Sequence, residues 1–219
     1  MTDFRLPGLT HRTAILGRTG SGKTRQALWL LSTSPFDKQP FIVVDYKRER
    51  FFDRSDRIKE ITLKQVPKEP GVYLLRPMPD DDIETWLWKV WAQENVGLYV
   101  DEGYGIDPRS SALQAVLTQG RSKHLPVIYL SQRPSWISRF VLSEADFFSV
   151  FPLNDRFDRQ RIQALTPAER MNLNNRLPDY HSYWYDVGKD QVFVMQPVPD
   201  DDEILDRLET RLAPKRRHL

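Results

Sequence analysis

Gly17-Arg18-Thr19-Gly20-Ser21-Gly22-Lys23-Thr24 is the stretch that decides the fold, because it fits the pattern G-x-x-x-x-G-K-[ST]. Residues 13–16 before it, Thr-Ala-Ile-Leu, predict a short buried strand, and residues 25–32 after it predict a helix. A strand that turns into a helix presents backbone N–H groups and the positive end of the helix dipole to an anion. The stretch is therefore predicted to bind the phosphates of a nucleoside triphosphate.

The predicted role of each part follows from its chemistry. The glycines let the backbone curl around the phosphates, Lys23 reaches the β- and γ-phosphates, and the Thr24 hydroxyl coordinates Mg²⁺. ATP and Mg²⁺ are the expected cofactors. A chance glycine-rich turn is the alternative, and the strand and helix around the motif argue against it. The predicted nucleotide-binding residues are Gly17, Arg18, Thr19, Gly20, Ser21, Gly22, Lys23 and Thr24.

The composition is that of an ordinary globular chain. Its 219 residues, 40% hydrophobic and 28% charged, can bury one sizeable core, and no Gly/Ser-rich linker marks a boundary, so a single domain over 1–219 is expected. The chain has no cysteine, which excludes disulfides, thiolate metal sites and cysteine nucleophiles. A net charge of +2 does not by itself indicate nucleic-acid binding. Without a signal peptide or a transmembrane segment, the chain is expected to be cytoplasmic.

Strands and helices alternate along the chain. The predicted strands are 41–46, 71–75, 96–100, 127–130 and 146–151, and the predicted helices include 83–91, 108–119, 155–165 and 167–173. This alternation predicts a three-layer α/β fold of the P-loop type with a mainly parallel sheet, and places the ligand site at the carboxyl ends of the strands. An antiparallel hairpin (182–187 and 191–196) and a helix (201–212) form a C-terminal part over about 180–213, after a core over about 13–151 and before a basic tail, 214–219.

A short acidic motif occurs twice. Pro77-Met78-Pro79-Asp80-Asp81-Asp82 is echoed by Pro197-Val198-Pro199-Asp200-Asp201-Asp202. Acidic residues at the start of a helix stabilise its N-terminus, so both copies are predicted to begin helices. Metal binding by the carboxylates is the alternative.

Asp101 and Glu102 follow a predicted apolar strand, which is the pattern of a Walker B motif. Asp101 is expected to hold Mg²⁺, and Glu102 to orient or deprotonate an attacking water. A solvated acidic pair at a strand end is the alternative. The two predicted strands 41–46 and 71–75 lie between the P-loop and this pair, as in the additional-strand ATPases with a catalytic glutamate. This order favours hydrolysis over phosphoryl transfer to a substrate.

Gln132 is predicted to complete the site. It ends the strand after Walker B, which in the additional-strand class lies beside the P-loop strand, so its amide would face the γ-phosphate. The alternative is an amide that faces solvent.

The residues 117–134 resemble the Gly-Arg-Ala…Ala-Thr-Gln-Arg-Pro segment of the FtsK/HerA superfamily of DNA-translocating ATPases. The stretch 43–47 is similar to the second-strand Asp-Pro-Lys of that superfamily, with Tyr46 in place of the proline. The resemblance covers about residues 13–151 and includes all four elements in the same order.

The resemblance implies a ring, usually hexameric, with ATP sites between subunits and double-stranded DNA in the channel. An arginine of the neighbouring subunit would complete each site. Arg121 matches the Gly-Arg of the family pattern and is the first candidate, and Arg133 is the second. The alternative role for Arg121 is that of a cation at the end of a helix.

The size of the chain resembles that of the minimal genome-packaging ATPases of membrane-containing, double-jelly-roll viruses and phages. The expected function is packaging of double-stranded DNA into a capsid, in the host cytoplasm or at a packaging vertex with capsid or membrane proteins. Three alternatives remain at this point: another FtsK/HerA-type motor for conjugation, secretion or DNA processing, a small-molecule kinase, and a nucleotide-dependent regulatory or structural protein.

Two basic clusters are candidates for DNA contact, although a charged run is often only a solvated face. Contact with DNA phosphates would be independent of sequence and sensitive to salt. The first cluster is Lys47, Arg48, Arg50, Arg54 and Arg57 with Phe51 and Phe52, and the second is Lys215, Arg216 and Arg217 in the tail.

Overall fold

The computed structural model describes residues 4–175 and 177–213, and within these ranges nine strands form one sheet in the order β3-β4-β2-β5-β6-β1-β7-β8-β9. Strands β1 to β7 pair in parallel, whereas β8 and β9 continue the sheet as an antiparallel hairpin. The predicted fold class is confirmed. The strands are β1 Arg12–Leu16, β2 Pro40–Asp45, β3 Lys59–Ile61, β4 Gly71–Leu75, β5 Gly97–Asp101, β6 Val127–Ser131, β7 Phe147–Val150, β8 Ser182–Asp186 and β9 Gln191–Met195.

Helices cover both faces of the sheet and give the fold three layers. Apolar residues of α1 and α6 pack against one face, and those of α2, α3, α4 and α5 pack against the other. The helices are α1 Lys23–Thr33, α2 Ile83–Gln93, α3 Ser111–Gln119, α4 Arg139–Ser143, α5 Arg156–Gln163 and α6 Asp201–Leu212. No helix in the described ranges has the length and apolar character that a membrane span requires.

Both copies of the acidic motif cap helices. Asp82 accepts a hydrogen bond from the backbone N–H of Thr85 (2.9 Å) at the start of α2, and Asp200 accepts from the N–H groups of Asp202 and Glu203 at the start of α6 (3.1 and 3.0 Å). These bonds satisfy N–H groups that have no partner inside the helix. The repeated motif therefore has the same structural role, capping of a helix N-terminus, at both positions.

The strand order determines the position of the site. Strand β6 lies between β5 and β1 and is parallel to both, with Tyr129 opposite Val100 on one side and Ala14 on the other. The segments that follow β1, β5 and β6 therefore meet at one edge of the sheet, where the P-loop, Asp101-Glu102 and Gln132 are found. The predicted position of the strand after Walker B is confirmed.

Two details of the sequence-based prediction are wrong. Residues 167–173 form turns instead of a helix. Phe51 and Phe52 belong to a 3₁₀ turn, Arg50–Arg54, and are buried in the core beside Tyr99, so these rings are not available to DNA. The predicted DNA contacts Lys215, Arg216 and Arg217 lie outside the described residues.

Candidate functional site

The loop between β1 and α1 curls tightly because its neighbours leave no room for side chains. A Cβ atom on Gly17 would lie 2.5 Å from Cβ of Phe151, after β7, and 2.9 Å from Oγ of Ser21. Gly22 precedes α1 with φ of 105°, in the left-handed region that glycine adopts readily. The first N–H groups of α1 therefore point into the curled loop, which is the arrangement that binds phosphate.

Lys23 is buried at the start of α1, and its Nζ donates a hydrogen bond to the carbonyl oxygen of Arg18 (3.1 Å). Burial lowers the pKa of Lys23, and the negative charges of Glu102 and Asp101 oppose that effect. A bound triphosphate would favour the charged ammonium in the same way. Thr24, the next residue, lines the cavity beside the P-loop.

Asp101 ends β5 and Glu102 follows it, and only 1% and 3% of their surfaces are exposed. Burial, with a smaller contribution from the charge of Glu102, raises the pKa of Asp101 to about 7. Asp101 Oδ2 and Glu102 Oε2 are buried without a hydrogen-bond partner in the described part of the chain. Carboxylate oxygens of this kind fit a hard cation such as Mg²⁺, which would also favour the ionised form of Asp101.

The side chain of Gln132 connects the P-loop with Glu102. Its Nε2 donates to Glu102 Oε1, and its Oε1 accepts from the hydroxyl of Thr19. An amide can make both bonds because it carries a donor and an acceptor. Gln132 thus faces the cavity that the P-loop and Glu102 line, and not bulk solvent.

Tyr129 on β6 fixes the turn that follows Glu102. Its hydroxyl donates to the carbonyl oxygen of Gly103 (2.5 Å), and a Cβ on Gly103 would lie 1.9 Å from Tyr129 Cε1. Glu102 itself has φ of 50°, which is an unfavourable conformation for a residue with a side chain. The packed tyrosine therefore holds the carboxylate in a position that the isolated turn would not favour.

The P-loop, Glu102 and Gln132 line a cavity of about 310 Å³. Six lining residues were not predicted there: Arg25, Leu28, Lys47, Glu49, Tyr180 and Asp201. Lys47 had been predicted only as a DNA contact. The sheet explains the position of Lys47. Asp45 on β2 lies opposite Asp101 on β5 in a parallel pair, so the residues that follow the two strands, Lys47 among them, come together.

No model of a known protein family matches the sequence. The chain is 42% identical to the DNA packaging ATPase P9 of Enterobacteria phage PRD1 over 224 aligned positions, which cover 98% of this chain and 98% of the relative. The chain belongs to the family of DNA packaging ATPases. It is therefore an ATPase, as the Walker motifs predict.

Solved structures share the fold of this packaging ATPase. The genome packaging NTPase B204 of Sulfolobus turreted icosahedral virus 2, in complex with ATP-gammaS, has a TM-score of 0.73 at 20% identity and covers 88% of this chain and 100% of its own. ATPases 2 and 3 of EssC from Geobacillus thermodenitrificans have a TM-score of 0.63 at 14% identity, over 93% of this chain and 43% of their own. The resemblance to FtsK/HerA-type ATPases is confirmed at the level of the fold.

Arg121 lies far from the nucleotide cavity of its own chain. It follows α3, pairs with Asp146 immediately before β7, and leaves 66% of its side chain exposed. Strands β1, β6 and β7 begin at this edge of the sheet and end at the P-loop edge, and a strand of five residues spans about 16 Å. Arg121 therefore does not reach the nucleotide cavity of its own chain.

Arg133 follows Gln132 but is engaged within its own chain. Its guanidinium group pairs with Asp155 (3.4 Å) and the buried Asp158 (3.0 Å), and its Cζ lies 4.8 Å from the centre of the Trp136 ring. To act as a trans arginine, Arg133 would have to leave a buried carboxylate unpaired, which is costly.

The basic segment after β2 divides into two groups. Arg54 pairs with Asp202, and Arg57 Nε pairs with Glu209 Oε2 at 2.9 Å, so both arginines are tied to α6. Arg48 and Arg50 are exposed, and no ion pair of either is found within residues 4–175 and 177–213. Arg48 and Arg50 are therefore the better placed of the predicted DNA contacts.

Proposed function

We propose that this packaging ATPase hydrolyses ATP in order to drive double-stranded DNA into a capsid, and that it does so as a ring of identical subunits. The observation that supports this most strongly is the convergence of the P-loop, Glu102 and Gln132 on one cavity. A phosphate cradle alone would suit any protein that binds a nucleoside triphosphate. A buried carboxylate and an amide at the γ-phosphate end add what hydrolysis requires.

The chemistry assigned to these residues is attack of water on the γ-phosphorus. The bond to the β–γ bridging oxygen breaks, Glu102 accepts the proton of the water, and ADP and inorganic phosphate are formed. Gln132 holds Glu102 through its amide nitrogen and so keeps the carboxylate beside the water. Lys23 and the first N–H groups of α1 stabilise the charge on the phosphate oxygens.

Thr24 and Asp101 are the residues that would hold Mg²⁺. Asp101 Oδ2, buried and without a partner among the described residues, supports this assignment. When bound, Mg²⁺ would neutralise negative charge on the β- and γ-phosphates.

A ring is proposed because Arg121 is remote from its own cavity and exposed. A subunit that places this arginine at the nucleotide of its neighbour would make hydrolysis depend on assembly. Such arginines contribute about 10³–10⁵-fold to the rate where they have been measured. The resemblance to the FtsK/HerA superfamily implies a ring of six subunits.

Contact with DNA is assigned to exposed cations, chiefly Arg48 and Arg50. These residues would contact phosphates and not base edges, because the motor must move along any sequence. The tail residues Lys215, Arg216 and Arg217 remain candidates on their charge alone.

Phosphate release, measured with and without linear double-stranded DNA, tests the proposal. DNA is expected to raise the ATPase rate. Transfer of the phosphoryl group to a small-molecule acceptor without phosphate release would indicate a kinase. If DNA is bound but changes neither the hydrolysis nor the binding of ATP, a regulatory or structural role would be favoured.

A further inference from the structure

We propose that Tyr180 stacks against the adenine ring of ATP, in a cleft beside the P-loop. The proposal rests on the nucleotide-binding part of the proposed function and concerns the part of the site that holds the base. It gives this chain a subsite for the base, where the motifs account only for the phosphates and the attacking water.

The residues that line the cavity locate the base. Glu102, Gln132, Lys47, Arg25 and Tyr180 line it together with the P-loop. Gln132 is bonded to Glu102 and to Thr19, whereas Tyr180 lies against the P-loop at Gly22. The γ-phosphate must lie beside the proposed base, Glu102, so Tyr180 is placed to meet the nucleoside.

Tyr180 has the position and exposure that stacking requires. It is 55% exposed, although its ring lies against the P-loop, where a Cβ on Gly22 would be 3.3 Å from Tyr180 Cδ1. Its φ of 62° is rare for a bulky residue and is typically found where surrounding structure imposes it. The ring is thus held at the P-loop with one part open to a planar ligand.

The walls of the cleft have the mixed character of a purine site. A smaller pocket that shares Gly22, Arg25 and Tyr180 with the cavity is lined by Phe151, Pro197 and Val198, which offer apolar surface. Arg25 lines both pockets, and its Nε pairs with Asp201 Oδ1 at 3.0 Å, which fixes the guanidinium beside Tyr180. Sites for small planar ligands combine such apolar walls with a few fixed polar groups.

Gln26 lies in the smaller neighbouring pocket. It is 2% exposed, and its Oε1 accepts hydrogen bonds from Ser149 (2.7 Å) and Ser182 (3.2 Å). Its Nε2 is buried and has no hydrogen-bond partner among the described residues. The bond to Ser182 also anchors the chain two residues from Tyr180.

Binding of ATP and of inorganic tripolyphosphate to Tyr180→Ala and Tyr180→Phe chains tests the proposal, because tripolyphosphate has no base. Tyr180→Ala is expected to weaken the binding of ATP about tenfold and to leave the affinity for tripolyphosphate unchanged within about twofold. Tyr180→Phe is expected to bind both ligands as the wild type does. An unchanged affinity for ATP in Tyr180→Ala, or equal weakening of both ligands, would overturn the proposal.

A second measurement uses the unaltered protein. An ATP analogue that carries 2-aminopurine as its base is expected to lose fluorescence on binding, because stacking on Tyr180 quenches it. Full emission from the bound analogue would overturn the proposal. Neither measurement involves DNA, so a failure of DNA-stimulated hydrolysis would refute the motor function and leave this result intact. Lys23→Ala is the control that should weaken ATP and tripolyphosphate alike.

Discussion

The side-chain amide of Gln132 donates a hydrogen bond to the carboxylate of Glu102, so the two residues proposed to act on the attacking water are joined across the adjacent strands β5 and β6. The same amide accepts a hydrogen bond from Thr19 in the P-loop. One side chain thus connects the phosphate-binding loop with the proposed base.

This link predicts the outcome of a double-mutant cycle. Glu102→Gln is expected to lower kcat about 100-fold or more and to leave the Kd for ATP within about threefold, because the amide keeps the shape but cannot take a proton. Gln132→Ala is expected to lower kcat about tenfold alone and by less than about twofold in the Glu102→Gln chain, since it acts through Glu102. Phosphate release measures both effects. The exposed Glu169→Gln is the control, and hydrolysis by Glu102→Gln at nearly the wild-type rate would show that the base is misassigned.

The contact between Tyr129 and Gly103 is expected to affect both stability and turnover. Tyr129→Phe removes one of two hydrogen bonds to the Gly103 carbonyl and leaves the bond from the N–H of Ile106 (3.2 Å), so it should lower the free energy of unfolding by about 1 kcal/mol and lower kcat. Urea unfolding and phosphate release are the measurements. Tyr99→Phe is a matched control, because the Tyr99 hydroxyl is buried without a partner in the described ranges and its loss should cost little. Equal behaviour of the two variants would mean that the turn is held by other contacts.

The assignment of Arg121 predicts complementation between inactive subunits. Arg121→Ala and Lys23→Ala chains are each expected to be inactive, for lack of the trans arginine and of the phosphate-binding lysine. A mixed ring contains interfaces with one intact lysine and one intact arginine, so mixing should restore part of the ATPase activity. Phosphate release from the mixture is the measurement. No recovery, in mixtures shown to co-assemble, would count against a role in trans.

The division of the basic segment predicts unequal effects on DNA binding. Arg50→Ala is expected to weaken binding to any duplex sequence and to reduce the slope of log affinity against log salt by about 1. Arg57→Ala is the matched control, because Arg57 is paired with Glu209 and should change that slope little. Titration of labelled duplex at several salt concentrations measures both slopes. A larger loss of DNA affinity for Arg57→Ala than for Arg50→Ala would place the DNA beside α6 instead.

The pair between Arg5 and Asp186 predicts a dependence of stability on pH. Burial favours a higher pKa for Asp186, but hydrogen bonds from Arg5 and from the N–H of Lys189 outweigh it and hold the pKa below its usual value. The folded state therefore gains stability from this carboxylate above the pKa of the unfolded chain, about 4, and loses it as the pH falls through the lower folded pKa.

Asp186→Asn should accordingly lower the free energy of unfolding by about 1–3 kcal/mol at pH 7, with a smaller difference below about pH 4. Urea unfolding across this range is the measurement, and the exposed Asp56→Asn is the control. If the difference in the free energy of unfolding between wild type and Asp186→Asn stays constant with pH, the pair between Arg5 and Asp186 is not the cause of the pH dependence.

Features with a local signal could be predicted from the sequence. The glycines around Gly17 and the capping Asp200 identify a loop and a helix start within a few residues. The position of Gln132 beside the P-loop could also be inferred, because the carboxyl ends of parallel strands meet at one edge.

Other features depend on tertiary contacts that no local pattern contains. Strand β3 has three residues, and Lys59 and Glu60 are exposed at the edge of the sheet, so no apolar pattern marks it. Phe51 and Phe52 stand in a basic run that suggested an exposed surface, yet both rings are buried. Tyr180 reaches the P-loop from a turn about 160 residues later in the chain, which only the folded structure brings near Gly22.

Displacement of a third strand from linear double-stranded DNA tests most directly whether hydrolysis at Glu102 moves DNA. The wild-type chain is expected to displace the strand at a rate that follows ATP hydrolysis, whereas Glu102→Gln should bind ATP and DNA and displace nothing. Displacement by Glu102→Gln, or sustained DNA-stimulated hydrolysis by the wild type without displacement, would contradict the proposed function.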